Sequence, residues 1–450
     1  MFFDTIAAIA TAMQDGAISI IRLSGPDAIK MTNQIFKGKN LEQVETHTIH
    51  YGHIHDNDRV IDEVLVSIMK GPKSFTAEDV VEINCHGGIF VTNKVLELVL
   101  SNGAKLAQPG EFSKRAFLNG RIDLAQAESI IDIIHSKSEQ SLSLAMEGLD
   151  GKVSELINKL RADILDVLAH IEVNIDYPEY DDVEEMTHGK LLPICHQIHE
   201  KMLKILAAAK TGQILKTGIK TAIMGRPNVG KSSLLNALMR EEKAIVTNIA
   251  GTTRDTVEGQ VNVEGLVLNL IDTAGMRQTN DIVEAIGVKK SRALIEQVEL
   301  ILLILNGNEK LTHDDQELLS LTKNKNRIIV INKADLKSNI EIGEIPNAIE
   351  VSVLEEKGLD RIITKIKTMF EIGELNLKDM TYLSNARHIS KLKESVQSIE
   401  STIENMKLGL PIDMIELDIK NAWHTLGEII GESITDSLID ELFTKFCLGK

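Results

Sequence analysis

Three scarcities limit what this chain can be before any motif is read. Cysteine is rare. Cys85, Cys195 and Cys447 are the only ones among 450 residues, they lie far apart, and none shares a metal-ligand spacing with another. Such usage points to a reducing compartment. Positive charge is outnumbered, with 49 Lys and Arg against 66 Asp and Glu and a formal net charge of −17. No global positive field therefore draws in nucleic acid, and any RNA contact must be a local patch or lie with a partner. Long apolar runs are missing as well. The longest strongly apolar stretch, Leu300–Leu305, is far too short to span a bilayer. Asp4 stands ahead of the first apolar stretch with no basic region before it, unlike a secretory signal. The expectation is a soluble, cytoplasmic protein with no membrane association. No internal repeat or low-complexity tract is visible.

The length prior allows about two to four domains, each able to bury its own core. From Met1 to about Asn119, short β-type runs (Ile18–Leu23, Val64–Met69, Val80–Asn84) mix with helical segments (Asp27–Phe36, Val91–Asn102), giving an α+β domain. From Ile122 to about Leu215, apolar residues recur at spacings of three and four, as in Leu156, Leu160, Ile164, Leu168 and Ile171. Between Gly218 and about Phe370, strands alternate with helices, the pattern of a parallel-type α/β sheet. After Leu375 the helical pattern returns through Ile389, Leu392, Val396 and Ile399. Neither helical stretch closes a core alone. The expected fold is a multidomain α/β chain: an N-terminal α+β domain over 1–119, an all-α domain made of 120–215 and 372–450, and an α/β domain over 216–371 inserted between its halves.

The inserted domain carries three nucleotide signatures in order. Gly225-Arg226-Pro227-Asn228-Val229-Gly230-Lys231-Ser232 follows an apolar strand (Ile219–Met224) and precedes a helix starting around Ser233–Met239. Its glycines let backbone N–H groups converge on phosphates at a helix N-terminus. Lys231 would reach the β- and γ-phosphates, and the Ser232 hydroxyl would ligate magnesium. By chance the pattern arises in a chain of this length only roughly one or two times in a hundred. Asp272-Thr273-Ala274-Gly275 follows the strand Leu266–Ile271. There Asp272 can hold the magnesium shell through water, and Gly275 offers an N–H to the γ-phosphate. Asn332-Lys333-Ala334-Asp335 follows the strand Arg327–Ile331, and Asp335 offers two acceptors to the paired donors of guanine. Ser352, after Ile349–Val351, would complete the guanine pocket through backbone groups. Together the signatures imply GTP binding and hydrolysis.

One expected part is absent. Ras-like GTPases orient the attacking water with a glutamine just after Asp-x-x-Gly; here Met276 stands there and cannot hydrogen-bond a water. Asn228 could help hold a monovalent cation against the phosphates, Glu284 could orient the water, and Arg277 or Arg254 could act as an internal finger. Glu284 and Arg277 could equally be ordinary solvated charges. Gly251-Thr252-Thr253-Arg254-Asp255 lies where the first switch belongs, with Thr253 placed to close on magnesium and Thr252 able to offer its carbonyl to a cation.

Several further segments resemble the bacterial tRNA-modification GTPase family MnmE (TrmE). They include Asp4–Thr11, Ile21–Gly25, Glu78–Gly88, Pro109–Ser113, Gly120–Glu128 and the terminal Phe446–Lys450, and with the GTPase motifs they run from Asp4 to Lys450. The resemblance implies a folate-binding N-terminal domain that also forms a homodimer, a helical domain, and a Ras-like G domain activated by potassium. Potassium would be ringed by Asn228, Thr247, Ile249 and Thr252, magnesium would take Ser232 and Thr253, and Glu284 would assist the water. GTP would contact Asn228, Val229, Gly230, Lys231, Ser232 and Ser233, then Thr247, Asn248, Ile249, Ala250, Gly251, Thr252 and Thr253. It would go on to Asp272, Thr273, Ala274, Gly275, Asn332, Lys333, Asp335 and Ser352.

The resemblance also implies a 5-formyl- or 5,10-methylene-tetrahydrofolate held by Arg22, Glu82, Arg121 and Lys450. Glu82 suits the amino-pteridine donors, and the cations suit the glutamate tail. Cys447, between Phe446 and Leu448, reads as a small buried hydrophobe, while the resemblance sets it beside the folate as a candidate thiol. His86, in a Gly-flanked loop, reads as structural packing. The implied function is installation of a carboxymethylaminomethyl or aminomethyl group on carbon 5 of the wobble uridine of certain tRNAs. The implied partner is FAD-dependent MnmG, in a heterotetramer. Two departures stand out: the loop Ala12–Ala17 lacks the family's Pro- and Gly-rich character, and Ser352-Val353 replaces its Ser-Ala. The alternative is an Era-like ribosome-assembly GTPase, which would carry a Gly-x-x-Gly RNA-binding appendage; none follows the G domain.

Overall fold

The computed structural model describes residues 4–176, 191–240, 257–271, 294–337, 339, 345–370, 383–446 and 449. By compactness the chain divides into two units. One comprises Met1–Ile131, Gly148–Arg161 and Trp423–Lys450; the other comprises Asp132–Glu147 and Ala162–Ala422.

The first unit is built on a seven-stranded sheet: β1 (Ile6–Ile9), β2 (Ile18–Ser24), β3 (Phe36–Lys37), β4 (Thr48–Asp56), β5 (Arg59–Met69), β6 (Val80–His86) and β7 (Lys105–Leu106), in the order β3-β4-β5-β6-β2-β1-β7. All neighbours are antiparallel except the short β1–β7 pair. Side chains alternate across a strand, so Ile21, Leu23, Val64, Val66, Ile68, Val81 and Ile83 enter one core with Ala28 and Ile29 of α1 (Ala28–Ile35) and Val95 and Val99 of α2 (Ile89–Ser101). Large apolar side chains that do not enter this core, Ile18, Ile49, Tyr51 and Leu65, are between 47% and 66% exposed. Past the sheet come α3 (Glu111–Leu118) and α4 (Leu124–His135). Buried Arg115 of α3 joins Asp4, Glu78 and Glu111, tying the start of β1 to the segment before β6. Ala116, Leu124 and Ala127 pack with Phe443 and Phe446 near the chain's end.

The second unit contains a six-stranded sheet: β8 (Ile219–Met224), β9 (Val257–Val263), β10 (Leu266–Ile271), β11 (Leu300–Asn306), β12 (Arg327–Asn332) and β13 (Ile349–Val351), in the order β13-β12-β11-β8-β10-β9. Five strands run parallel, as the alternating pattern predicts. The edge strand β9 is antiparallel, because the tight turn at Glu264-Gly265 joins it to β10 as a hairpin. β11 is buried along its whole length. Its Leu300, Leu302 and Ile304 enter one core with Leu234 and Leu238 of α8 (Lys231–Arg240) and Ile362 of α10 (Leu359–Met369). Its Ile301, Leu303 and Leu305 enter the other, beside Leu318 of α9 (His313–Leu321). A strand covered on both faces reads as a continuous apolar run.

Helices stand on either side of this sheet along the chain. They are α5 (Glu139–Leu149), α6 (Lys152–Asp176) and α7 (Leu192–Thr217) before it, and α11 (Ala386–Lys407), α12 (Ile412–Ile430) and α13 (Asp436–Phe443) after it. Leu392, Val396, Ile399, Ile403 and Met406 make one buried stripe on α11. Side-chain contacts tie α7 to its neighbours, a hydrogen bond between His199 and Glu400 at 2.9 Å and an ion pair between Lys201 and Asp163 at 2.7 Å. The expected fold class holds: an α+β N-terminal domain, helices, and a Ras-like α/β sheet lying between helical stretches of the chain.

Candidate functional site

β8 ends at Met224 and α8 starts at Lys231, so the glycine-rich signature forms the loop between them. Gly225 (φ +148°) and Gly230 (φ +100°) both lie where an L side chain is strained. A Cβ on Gly225 would come 2.4 Å from the Ile304 carbonyl, and one on Gly230 2.1 Å from Asn332 Nδ2. Asn228 takes a left-handed φ of 62° at the loop's bend. Lys231 Nζ donates to the carbonyls of Gly225 (2.8 Å) and Arg226 (2.6 Å). Burial lowers its pKa from the ordinary lysine value. The ammonium is thus held inside the loop, where a phosphate would compete for it with two carbonyls. Ser232 and Ser233 occupy the first turn of α8, whose free N–H groups and dipole favour an anion.

The Asn332–Asp335 loop lies beside it, because β8, β11 and β12 are parallel neighbours and deliver their C-terminal ends to one sheet edge. Asn332, the last residue of β12, is 4% exposed. Its Nδ2 donates to the Val229 carbonyl at 2.9 Å, and its Oδ1 accepts from the Val353 N–H at 3.3 Å. One side chain therefore cross-ties the phosphate loop, the Asn-Lys-x-Asp loop and the segment after β13. Lys333 has φ 66°. Ser352 Oγ donates to Asp335 Oδ1 at 2.6 Å and accepts from the Glu355 N–H at 3.2 Å, so it orients the carboxylate with its side chain.

Thr247, Asn248, Ile249, Ala250, Gly251, Thr252, Thr253, Asp272, Thr273, Ala274, Gly275 and Glu284 lie outside the described residues, as do Arg254, Met276, Arg277, Cys447 and Lys450.

In the first unit Arg22 and Glu82 face each other in register on β2 and β6. Arg22 donates from Nε (2.9 Å) and Nη2 (2.8 Å), both to Oε1 of Glu82, and Nη1 reaches the Gly449 carbonyl at 3.3 Å. The guanidinium lies 5.8 Å from each of the Phe75 and Phe112 rings. A pocket of about 450 Å³ opens beside it, lined by Arg22, Phe75, Arg121, Ile122, Gln126, Ile130 and Leu149. Arg22, Arg121 and, through the ion pair, Glu82 thus meet at one concavity with an apolar wall.

Sequence reasoning missed Phe75 and Gln126 of this pocket, and missed Asp315 and Glu309, which hold Arg226 in the phosphate loop. No local pattern marks them. His86 ends β6 with its ring 70% exposed and Nδ1 at 2.7 Å from Asp62 Oδ1. It is therefore a surface ion-pair partner and not a packing residue. The Asp62 hydrogen bond raises its pKa.

A glycine-rich loop and an Asn-Lys-x-Asp loop cross-tied at one sheet edge mark a GTPase of the P-loop class. The models of two families cover almost the whole chain: the GTP-binding protein TrmE N-terminus over residues 5–121 and the MnmE helical domain over residues 124–447. The tRNA modification GTPase MnmE of Lactococcus lactis subsp. cremoris (strain SK11) is 54% identical over 449 residues, covering 100% of this chain and 99% of the relative. That of Bacillus mycoides (strain KBAB4) is 53% identical over 458 residues, covering both fully at 100%. Among solved structures, the G domain of the T. maritima FeoB iron transporter aligns at 24% identity and a TM-score of 0.26, over 34% of this chain and 98% of that one. The chain belongs to the tRNA modification GTPase MnmE family, a family of GTP hydrolases in tRNA modification. The Era-like alternative falls with that assignment.

Proposed function

We propose that this chain is a potassium-activated GTPase that acts with the FAD-dependent protein MnmG. Together they would add a carboxymethylaminomethyl or aminomethyl group to carbon 5 of the wobble uridine of certain tRNAs, with a tetrahydrofolate as one-carbon donor. The observation that carries the GTPase half is the Asn332 cross-tie, which joins the phosphate-binding and base-reading loops into one site. Lys231 and the first turn of α8 take the phosphates, and Asp335, oriented by Ser352, takes the guanine edge.

The donors suit hard cations, which prefer oxygen. The Ser232 hydroxyl, with Thr253, would hold magnesium; the Asn228 side chain, with oxygens of Thr247, Ile249 and Thr252, would hold potassium. Bound there, the cations would neutralise charge on the transferring phosphoryl group. Glu284 supplies an acceptor for the attacking water where Met276 cannot.

For the folate half, the pocket at Arg22 joins cations that fit a glutamate tail with aromatic and aliphatic walls that fit a pteridine. Arg22 spends two donors on Glu82, so the ligand meets the pair as one polar unit, with exposed Arg121 and terminal Lys450 for the tail. The exposed apolar residues of β2, β4 and β5 (Ile18, Ile49, Tyr51, Leu65) support homodimerisation through the N-terminal domain, 1–119. The helical domain would be 120–215 with 372–450, and the G domain 216–371. Flavin redox chemistry lies with the partner. The proposed work is cytoplasmic; among the described residues no helix is long and apolar enough to cross a membrane.

Mass spectrometry of wobble nucleosides from a deletion strain tests the proposal. Loss of the carbon 5 adducts, restored by this gene, is the expected result; unchanged modification would refute it.

A further inference from the structure

Arg226 is the second residue of the phosphate loop, yet its side chain points away from the loop's work. Its Nε donates to the Asp315 carboxylate at 2.9 Å, and its Nη2 reaches Glu309 Oε2 at 3.0 Å. Asp315 has a side chain only 2% exposed. It sits in the first turn of α9, where its Oδ2 accepts from the Thr312 N–H at 3.0 Å in a capping box. Glu309 Oε1 in turn accepts from Asn306 Nδ2 at 2.6 Å, at the end of β11. The backbone of Arg226 meanwhile faces inward, its carbonyl accepting from Lys231 Nζ. Arg226 is thus fixed at both ends, by its guanidinium to the β11–α9 segment and by its carbonyl to the catalytic lysine.

We propose that the Arg226–Asp315 pair is a tether that pre-organises the phosphate loop, making both side chains positioning residues for nucleotide binding. The proposal rests on the GTPase reading above. A loop whose first limb is fixed need not be ordered when phosphate arrives, and that saved ordering appears as affinity. A buried carboxylate already anchored by a helix cap is a stiffer post than a surface acid. The fork geometry also explains arginine here, since it meets Asp315 from Nε and Glu309 from Nη2, whereas a lysine carries all its N–H groups on one nitrogen and cannot occupy both positions. GDP and GTP share the phosphates this limb supports, so the tether serves both equally.

The test measures the dissociation constants of fluorescent GDP and a non-hydrolysable GTP analogue, with melting temperature and kcat, on the full chain. Asp315→Asn and Arg226→Gln should each weaken both nucleotides about tenfold, the scale of one charge-assisted hydrogen bond. The double variant should be no weaker than the worse single one, because both remove one interaction. Arg226→Lys should recover only part of the loss. Thr312→Ala removes the hydroxyl that caps α9 and donates to Asp315 Oδ2 at 2.9 Å, but keeps the carboxylate and its Thr312 N–H contact; it should lower the melting temperature and weaken both nucleotides by clearly less than Asp315→Asn.

Equal affinity losses in Thr312→Ala and Asp315→Asn would reduce the pair to helix stability and overturn the tether. A collapse of kcat in Arg226→Gln alone would mean that Arg226 itself reaches the phosphates, and would overturn it too. Should Asp315→Asn not fold, Arg226→Lys and Arg226→Gln still decide: unchanged affinity in both refutes the proposal. Failure of the parent protein to bind either nucleotide would instead defeat the GTPase reading, so the two failures are distinguishable.

Discussion

Asn332 is the side chain on which the proposed nucleotide site turns, and its replacement gives the sharpest test of the geometry. Asn332→Ala removes a donor to the Val229 carbonyl and an acceptor for the Val353 N–H. Val229 is 1% exposed, so its carbonyl is left with little access to water. A buried acceptor left unmade costs about 1–3 kcal/mol, and the second hydrogen bond adds about 1 kcal/mol. The total, about 2–4 kcal/mol, divides between folding and nucleotide binding. If half is felt in binding, GDP affinity falls about 5- to 30-fold.

Asn332→Asp is the more telling change. The shape is kept and Oδ1 still accepts from Val353, but an oxygen replaces the Nδ2 that lies 2.9 Å from the Val229 carbonyl. Two acceptors then face each other, so the loss should at least equal that of alanine. It should ease as the pH falls toward about 4, where the carboxyl protonates and can donate. Titration of fluorescent GDP, with urea unfolding alongside, separates the binding and folding parts. An Asp variant that binds GDP within about threefold of the parent at neutral pH would refute the cross-tie.

Two other outcomes follow from named groups. GTP turnover should be faster in potassium than in sodium at equal ionic strength, because sodium fits the proposed oxygen set at Asn228 less well; equal steady-state rates would remove potassium from the proposal. Arg115→Met should destabilise the first unit by about 3–5 kcal/mol in urea unfolding, since it strands carboxylates arranged around a fully buried cation. Burial pushes the Asp4 pKa up, but Lys105 and Arg115 outweigh it and hold it below the ordinary value. Asp4 therefore contributes stability above its unfolded pKa that is lost as pH falls through the lower folded one. In Arg115→Met that acid-range loss should shrink, and an unchanged acid profile would sink the assignment.

Much of the GTPase half was legible in the residues. The strands read at Ile219–Met224, Leu266–Ile271 and Ile349–Val351 match β8, β10 and β13 end for end. β10 is a near-continuous apolar run broken only by Asn269, as a buried parallel strand should be; Lys220 of β8 and Glu350 of β13 interrupt the other two, whose ends are marked by the signatures and turns that follow them. The N-terminal sheet was read less fully. β5 begins at Arg59, well before the expected Val64, and β4 was not foreseen. Their outer faces mix His, Tyr and charged residues, so the alternation that marks a strand is blurred. The antiparallel edge strand β9 was not foreseen either, since its direction is set by the turn at Glu264-Gly265 and not by its own residues.

The sequence alone determined which chemistry the chain carries. Phosphate, base and strand-end motifs are local, because each needs residues only a few positions apart on one loop. Tertiary structure decided which distant side chains serve that chemistry. Glu82 meets Arg22 across 60 positions, and Asp315 meets Arg226 across 89. Such pairs leave no periodic trace, because they depend on strand register and on where a helix cap comes to rest, and only the folded backbone sets those.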